Sequence, residues 1–176
     1  IGEEGIASEL RESVCAYERL LGARPAGSAA PGWRCTPDSL MVQEAFRFLY
    51  ASDVRGSDSF FPVHNGQTFR TLQIPTTLPT MDELIGREKN INGCLMNALK
   101  EGLNVHTVHA EVEGRAYLPL FEQFLGELCR RNVGIITLRE IAESTLERGL
   151  EKVPRLTVTK GSVPGRSGWI ACQGTA

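Results

Sequence analysis

The sequence predicts an α/β chain, and three observations predict it. Apolar residues recur every three to four positions in several segments, as they do on helices with one buried face. Short apolar runs bounded by Gly, Pro and Thr lie between those segments and read as strands. The two kinds alternate over residues 1–152, the βαβα rhythm of a parallel sheet or barrel, while residues 153–176 read as a small terminal hairpin or strap.

Residues 2–22 read as a helix because Ile6, Leu10, Val14, Tyr17 and Leu21 form one stripe and Gly22 can end it. The stretch from Ala23 to Gly32 is rich in Gly, Ala and Pro. It reads as loop, or as a short strand whose small side chains admit a close neighbour. Thr36-Pro37-Asp38 is a helix start, since Thr36 can cap and Pro37 at the first helical position loses no hydrogen bond. Phe48 to Ala51 reads as a short strand, and residues 52–70 as a long polar and aromatic loop of the kind that carries function. Leu72 to Ile74 is a strand stopped by Pro75. Thr80, with Glu83 three residues later, resembles a capping box opening the short helix Met81-Asp82-Glu83-Leu84-Ile85. Further helices are expected over about 91–100, 115–131 and 138–150. Strands are expected over Leu103–Ala110, the clearest of all, and Val133–Thr137. In the tail, Leu156–Val158 and Trp169–Cys172 are strand candidates separated by Gly161, Pro164, Gly165 and Gly168.

The totals exclude some functions. A chain of 176 residues, 41% apolar, can bury one hydrophobic core. A net charge of only -2 argues against nucleic acid as the main partner, because phosphate contacts need clustered Lys and Arg. Cys15, Cys35, Cys94, Cys129 and Cys172 are widely spaced with no CxxC, so a closed zinc site is weakly supported and free, mostly buried thiols are expected. No run reaches the roughly 20 apolar residues a membrane helix needs. The chain opens on Ile1, not Met, and is expected to be a fragment or a processed product.

His109 is the leading candidate for chemistry. It closes the clearest predicted strand, and α/β proteins bind ligands beyond the carboxyl ends of their strands. If the chain stays extended, Thr107, His109, Glu111 and Glu113 share a face. A histidine changes charge near neutral pH and suits proton transfer; a lone histidine serves structure equally often. His106 falls on the opposite strand face and His64 in the long loop, and neither has the spacing of a helical metal site. No metal centre follows from this chain's own residues. Trp33-Arg34 sits at a loop-to-helix junction where a guanidinium can fork onto a carboxylate or phosphate, or stand as a surface Arg beside a core Trp. Asp53 and Arg55 follow a predicted strand end; they fit a site rim or a surface ion pair. Glu111 and Glu113 fit either paired acid–base carboxylates or two solvated ones. No GxSxG elbow, phosphate loop or dinucleotide fingerprint is present.

Several blocks together resemble the polysaccharide deacetylase family, and within it the deformylases that act on an aminoarabinose lipid carrier. They are Ala29-Ala30-Pro31-Gly32-Trp33-Arg34, Tyr50-Ala51-Ser52-Asp53-Val54-Arg55-Gly56 and Gln73-Ile74-Pro75-Thr76-Thr77-Leu78-Pro79-Thr80. Val108-His109-Ala110-Glu111-Val112-Glu113-Gly114 and the closing Gly168-Trp169-Ile170-Ala171-Cys172-Gln173 complete the set, in the family's order across nearly the whole chain. The resemblance implies a distorted (β/α)7 barrel, of which residues 1–152 would be the C-terminal part and residues 153–176 a strap packed on it. It implies that Arg34 orients a catalytic aspartate and that His109 is the general acid. By the same resemblance Trp33, Asp53 and Arg55 line or support the substrate groove, with Glu111 and Glu113 as further substrate-binding candidates.

The implied reaction is removal of the formyl group from 4-deoxy-4-formamido-L-arabinose linked to undecaprenyl phosphate, releasing formate, in a pathway that modifies lipid A and is tied to polymyxin resistance. A divalent metal (zinc, with manganese or cobalt as substitutes) is implied as cofactor. The family's Asp-Asp pair and histidine cluster, which supply the base and the metal ligands, find no match here. The chain alone is therefore expected to be inactive and to need its missing part, in cis or as a second polypeptide. The lipid carrier implies a peripheral position on the cytoplasmic side of the bacterial inner membrane, and Phe60, Phe61 and Phe69 are candidates for an apolar membrane contact, or for aromatics folded back onto the barrel. The alternatives are a related carbohydrate N-deacetylase and a non-catalytic binding subunit.

Overall fold

In the computed structural model, which describes residues 2–176, helix α1 runs Glu3–Leu21, as its stripe predicts. Gly22 ends it in the left-handed conformation (φ 69°), its N–H bonded to the Glu18 carbonyl. Helix α2, Pro37–Phe46, begins with the predicted cap: Thr36 Oγ1 accepts from Ser39 N–H, and Ser39 Oγ accepts from Thr36 N–H. The chain divides into two compact units. The first contains the residues up to Pro75 with 137–161 and 169–176, and the second contains 76–136 with 162–168.

The first unit carries all the described strands. β1 (Gly27–Ser28), β2 (Tyr50–Ala51) and β5 (Leu72–Gln73) form a short parallel sheet in the order β1-β2-β5. Gly27 has to be small, since a Cβ there would sit 2.5 Å from the Tyr50 ring. β3 (Phe61–His64) and β4 (Gln67–Thr68) form a hairpin inside the predicted loop 52–70. Its two-residue turn, Asn65-Gly66, has φ of 49° and 77°, the positive pair such hairpin turns require. β6 (Arg155–Gly161) adds to β3 in parallel and β7 (Ile170–Gln173) to β6 in antiparallel, giving a second sheet ordered β4-β3-β6-β7. Helix α6, Leu138–Glu147, starts with a capping box between Thr137 and Glu140.

The expected barrel is not confirmed by this topology, and one expected surface is corrected by burial. The strands make one small parallel sheet and one mixed sheet, so the described residues show no single parallel wall of a (β/α)7 barrel. In the tail, β6 and β7 extend the sheet that β3 begins. Phe60, Phe61 and Phe69 are 0%, 7% and 1% exposed, so they do not offer a membrane contact. Phe60 and Phe69 instead fill a core with Cys35, Leu40, Val54 and Ala171, where each buried aromatic removes far more apolar area from water than an exposed loop could hide.

The second unit is helical. α3 (Met81–Leu84), α4 (Ile91–Ala98) and α5 (Leu118–Arg130) pack Met81, Ile91, Leu95, Phe124 and Leu128 into one core. The Asn92 amide ties α4 to α5 by donating to the Leu120 carbonyl at 2.9 Å. The predicted strands Leu103–Ala110 and Val133–Thr137 form no strand ladder. The N–H groups of Thr77 and Leu78 both reach the Val105 carbonyl, and the Val105 N–H goes to the Thr77 hydroxyl. The flanking Pro75 and Pro79 have no N–H to continue a ladder. Ile135 and Ile136 are 64% and 59% exposed, so an apolar run that reads as a buried strand lies bare in this unit.

Candidate active site

The second unit gathers a polar cluster around His109. The chain turns at Ala110 into a π-helical turn over Val112–Ala116, so the shared face predicted for Thr107, His109, Glu111 and Glu113 does not continue past His109. Glu111 is exposed, whereas Glu113 folds back, fully buried, and its Oε2 accepts the His109 backbone N–H at 2.8 Å. The His109 side chain is 30% exposed, and its Nδ1 lies 3.6 Å from Asp82 Oδ1. That separation is longer than a hydrogen bond, a common state for catalytic pairs before substrate binds. Asp82 Oδ1 also accepts the Thr80 hydroxyl, while Glu83 Oε2 accepts the Thr80 N–H at 3.1 Å. The first turn of α3 thus aims one carboxylate at the imidazole and uses the next to cap itself.

His106 lies on the other side of Glu113. Its Nδ1 donates to the Pro79 carbonyl at 3.1 Å, its ring edge meets Phe124, and its Nε2 stands 3.8 Å from Glu113 Oε1. Burial pulls its pKa below the usual imidazole range, against the opposing pull of the Glu113 charge. Glu113 therefore fixes the backbone of His109 from a buried position. Replacing Glu113 with Leu is expected to cost about 1–3 kcal/mol, the scale for a charged partner lost from a buried hydrogen bond. Glu113→Gln, which keeps the acceptor, should lose clearly less in urea unfolding of the intact protein. Equal losses in the two variants would refute the hydrogen-bond role.

The first unit holds the other candidates. Gly32 and Trp33 both have positive φ (61° and 55°), and for a bulky Trp this is a strained conformation. The turn buries the Trp33 ring and leaves Arg34 exposed. The Arg55 guanidinium stacks 4.9 Å over the Trp33 ring, and Arg34 and Lys160 each lie 5.0 Å from the Trp169 ring. Asp53 lies in the interior of this unit. It is fully buried, Oδ1 accepts from Ala30 N–H at 2.6 Å, and Oδ2 accepts from the Gln43 and Gln73 amides at 2.7 and 2.9 Å. Desolvation raises its pKa and these three hydrogen bonds oppose the rise. Asp53 thus braces β1, α2 and β5 from inside, with both oxygens turned to protein donors.

No protein-family model matches the chain. Two curated proteins named as the 4-deoxy-4-formamido-L-arabinose-phosphoundecaprenol deformylase ArnD are similar to it. The protein from Wigglesworthia glossinidia brevipalpis is 37% identical over 151 residues, covering 82% of this chain and 51% of its own length. The one from Shewanella sediminis (strain HAW-EB3) is 33% identical over 172 residues, covering 94% of this chain and 53% of its own. The similarity to these deformylases extends over most of this chain. It spans about half the length of the curated relatives it matches. A solved chain from Mycobacterium smegmatis, described as a polysaccharide deacetylase, shares the fold with a TM-score of 0.71 and 18% identity, over 93% of this chain and 63% of that one.

The metal implied by the resemblance to these deformylases finds no fit here. Among the described residues no group of three or more His, Cys, Asp or Glu is arranged to hold a cation. The orphaned Nδ1 of His109 and Nε2 of His106 each face a single carboxylate rather than converging on one point. The thiols also differ from expectation: Cys15 and Cys129 are exposed, Cys94 and Cys172 are half-buried, and Cys35 is buried. Burial pushes the Cys35 thiol far up, which suits packing and not nucleophilic attack. No helix among the described residues is long and apolar enough to cross a membrane.

Asp82 is the site residue that the motifs did not single out. The capping pattern Thr80 to Glu83 marked its helix turn, and the residue between them pointed to no chemistry until His109 was placed beside it.

Proposed function

We propose that the intact protein hydrolyses a formamide on a sugar, removing the formyl group from 4-deoxy-4-formamido-L-arabinose carried on undecaprenyl phosphate, with His109 as the general acid. The relatives' names supply the substrate, and the pairing of His109 Nδ1 with Asp82 is the observation that carries the residue assignment. As the acid the ring carries a proton on each nitrogen, Nδ1–H toward the Asp82 carboxylate 3.6 Å away and Nε2–H toward the leaving nitrogen. When the tetrahedral adduct of water and the formyl carbon collapses, the C–N bond breaks, formate departs, and the amine takes its proton from Nε2. Glu113 keeps the backbone of His109 in place during that transfer. By the resemblance of their blocks, Arg34 is assigned to orienting the catalytic aspartate, and Trp33 and Arg55 to lining or supporting the substrate groove.

Because the carrier's tail is a lipid, the same reading places the reaction at a bilayer surface, on the cytoplasmic side of the inner membrane. The test is formate release by the intact protein from the formamido-sugar carrier, run beside an N-acetylated sugar and a chitin oligomer. Release from the formamido substrate alone supports this function. Turnover of only the acetylated substrates would assign the protein to the carbohydrate deacetylases instead, a reading that the shared fold also favours.

A further inference from the structure

The glycine-rich segment 162–168, between β6 and β7, has no part in the function described so far. In the second unit it lies against α3. Gly165 has a φ of 90°, and a Cβ there would stand 2.6 Å from the Glu83 carbonyl oxygen, so the backbone is pressed onto the first turn of the helix. That contact presents the next residue, Arg166, to two neighbouring carboxylates. Its Nε donates to Glu83 Oε1 at 2.9 Å and its Nη2 to Asp82 Oδ2 at 3.1 Å, with the side chain only 20% exposed. Asp82 is thereby held at both oxygens, by Arg166 on Oδ2 and by the Thr80 hydroxyl on Oδ1, the oxygen that faces His109.

We propose that Arg166 is a positioning residue for the general acid, acting through Asp82. This rests on the proposed function for its catalytic readout. Three physical effects support it. Asp82 and Glu83 are adjacent like charges on one helical turn, and a shared guanidinium removes the repulsion that would drive them apart. The Asp82 side chain is 37% exposed, so without a second anchor its carboxylate can rotate into water. A fork contacting both groups fixes direction as well as charge, which a point charge does not. The segment that supplies the fork lies far along the chain from α3. The tail therefore contributes to the alignment of His109 without touching it.

The test uses the intact protein and three variants. Arg166→Met removes charge and fork, Arg166→Lys keeps the charge alone, and Gly165→Ala lifts the segment from Glu83. For Arg166→Met, kcat is expected to fall about 10–100-fold with KM nearly unchanged, the scale of a misplaced catalytic group. Arg166→Lys should recover part of that loss. Independently of any substrate, the ring nitrogen resonances of His109 report the nearby Asp82 carboxylate, and Asp82→Asn fixes their positions when that charge is gone. Those resonances should move toward the Asp82→Asn positions in Arg166→Met, and less far in Gly165→Ala. Should Arg166→Met fail to fold, Gly165→Ala decides. Resonances unchanged in the variants overturn the proposal whether or not the protein is a deformylase. Shifted resonances with an unchanged kcat overturn the catalytic role. Shifted resonances in a protein that releases no formate leave the positioning intact and refute the function.

Discussion

His109→Ala is expected to lower turnover of the intact protein by about 10²–10⁴-fold, the usual contribution of a positioned acid, while leaving its metal content unchanged. The imidazole is the group in this chain whose ring faces a carboxylate on one side and remains 30% exposed on the other. Removing it deletes the proton donor without disturbing the buried Glu113 beneath, whose partner is the backbone of residue 109 and not its side chain. Steady-state assay and elemental analysis on the same preparation check the prediction. Loss of metal with the loss of activity would mean that His109 is a ligand, and the general-acid assignment would fall.

The second large effect is on stability. Asp53→Leu strands the Ala30 N–H and the Gln43 and Gln73 amides in a dry interior, at an expected cost on the order of 3–5 kcal/mol. Asp53→Asn behaves differently. Its amide can donate to Gln43 Oε1, which has no partner in the wild-type interior, so the loss is smaller. The wild type and the Asp53→Asn variant should also differ with pH. Burial raises the folded pKa of Asp53, so its contribution to stability is complete below the unfolded aspartate value of about 3.9 and declines as pH rises through the folded value. The amide of the Asp53→Asn variant has no proton to lose. Urea unfolding between acid and neutral pH should therefore show the wild type losing stability relative to Asp53→Asn as pH increases. A wild type that instead gains on the variant with rising pH would show that the hydrogen bonds outweigh desolvation.

The local signals of the sequence were the legible part of this fold. Thr36-Pro37 and the Thr80–Glu83 box start helices where they should, because a cap acts over one turn and needs no distant partner. The tail hairpin followed from two apolar runs around glycines. What failed depended on partners far along the chain. Leu103–Ala110 has the composition of a strand, but its neighbour between Pro75 and Pro79 cannot sustain a ladder. The β3–β4 hairpin hid inside an aromatic stretch, although Asn65-Gly66 carried the turn signal. Within the candidate site, the position of His109 at a segment end was legible. Asp53 was not, since a carboxylate that follows a strand looks the same whether it faces a ligand or the amides of Gln43 and Gln73. Asp82 was illegible for the same reason: its orientation is set by Arg166, which no local pattern connects to it.

The bare run Val133-Gly134-Ile135-Ile136 bears on the lifetime of the polypeptide in a cell. An uncharged, β-prone stretch with unladdered backbone is a template for pairing with a second copy of itself and a feature that quality-control proteases and holdase chaperones recognise. The abundance of the protein then depends on how fast that stretch is covered after synthesis. A single lysine in place of Ile135 should act as a gatekeeper, raising soluble yield from freshly translated chains without altering the site around His109.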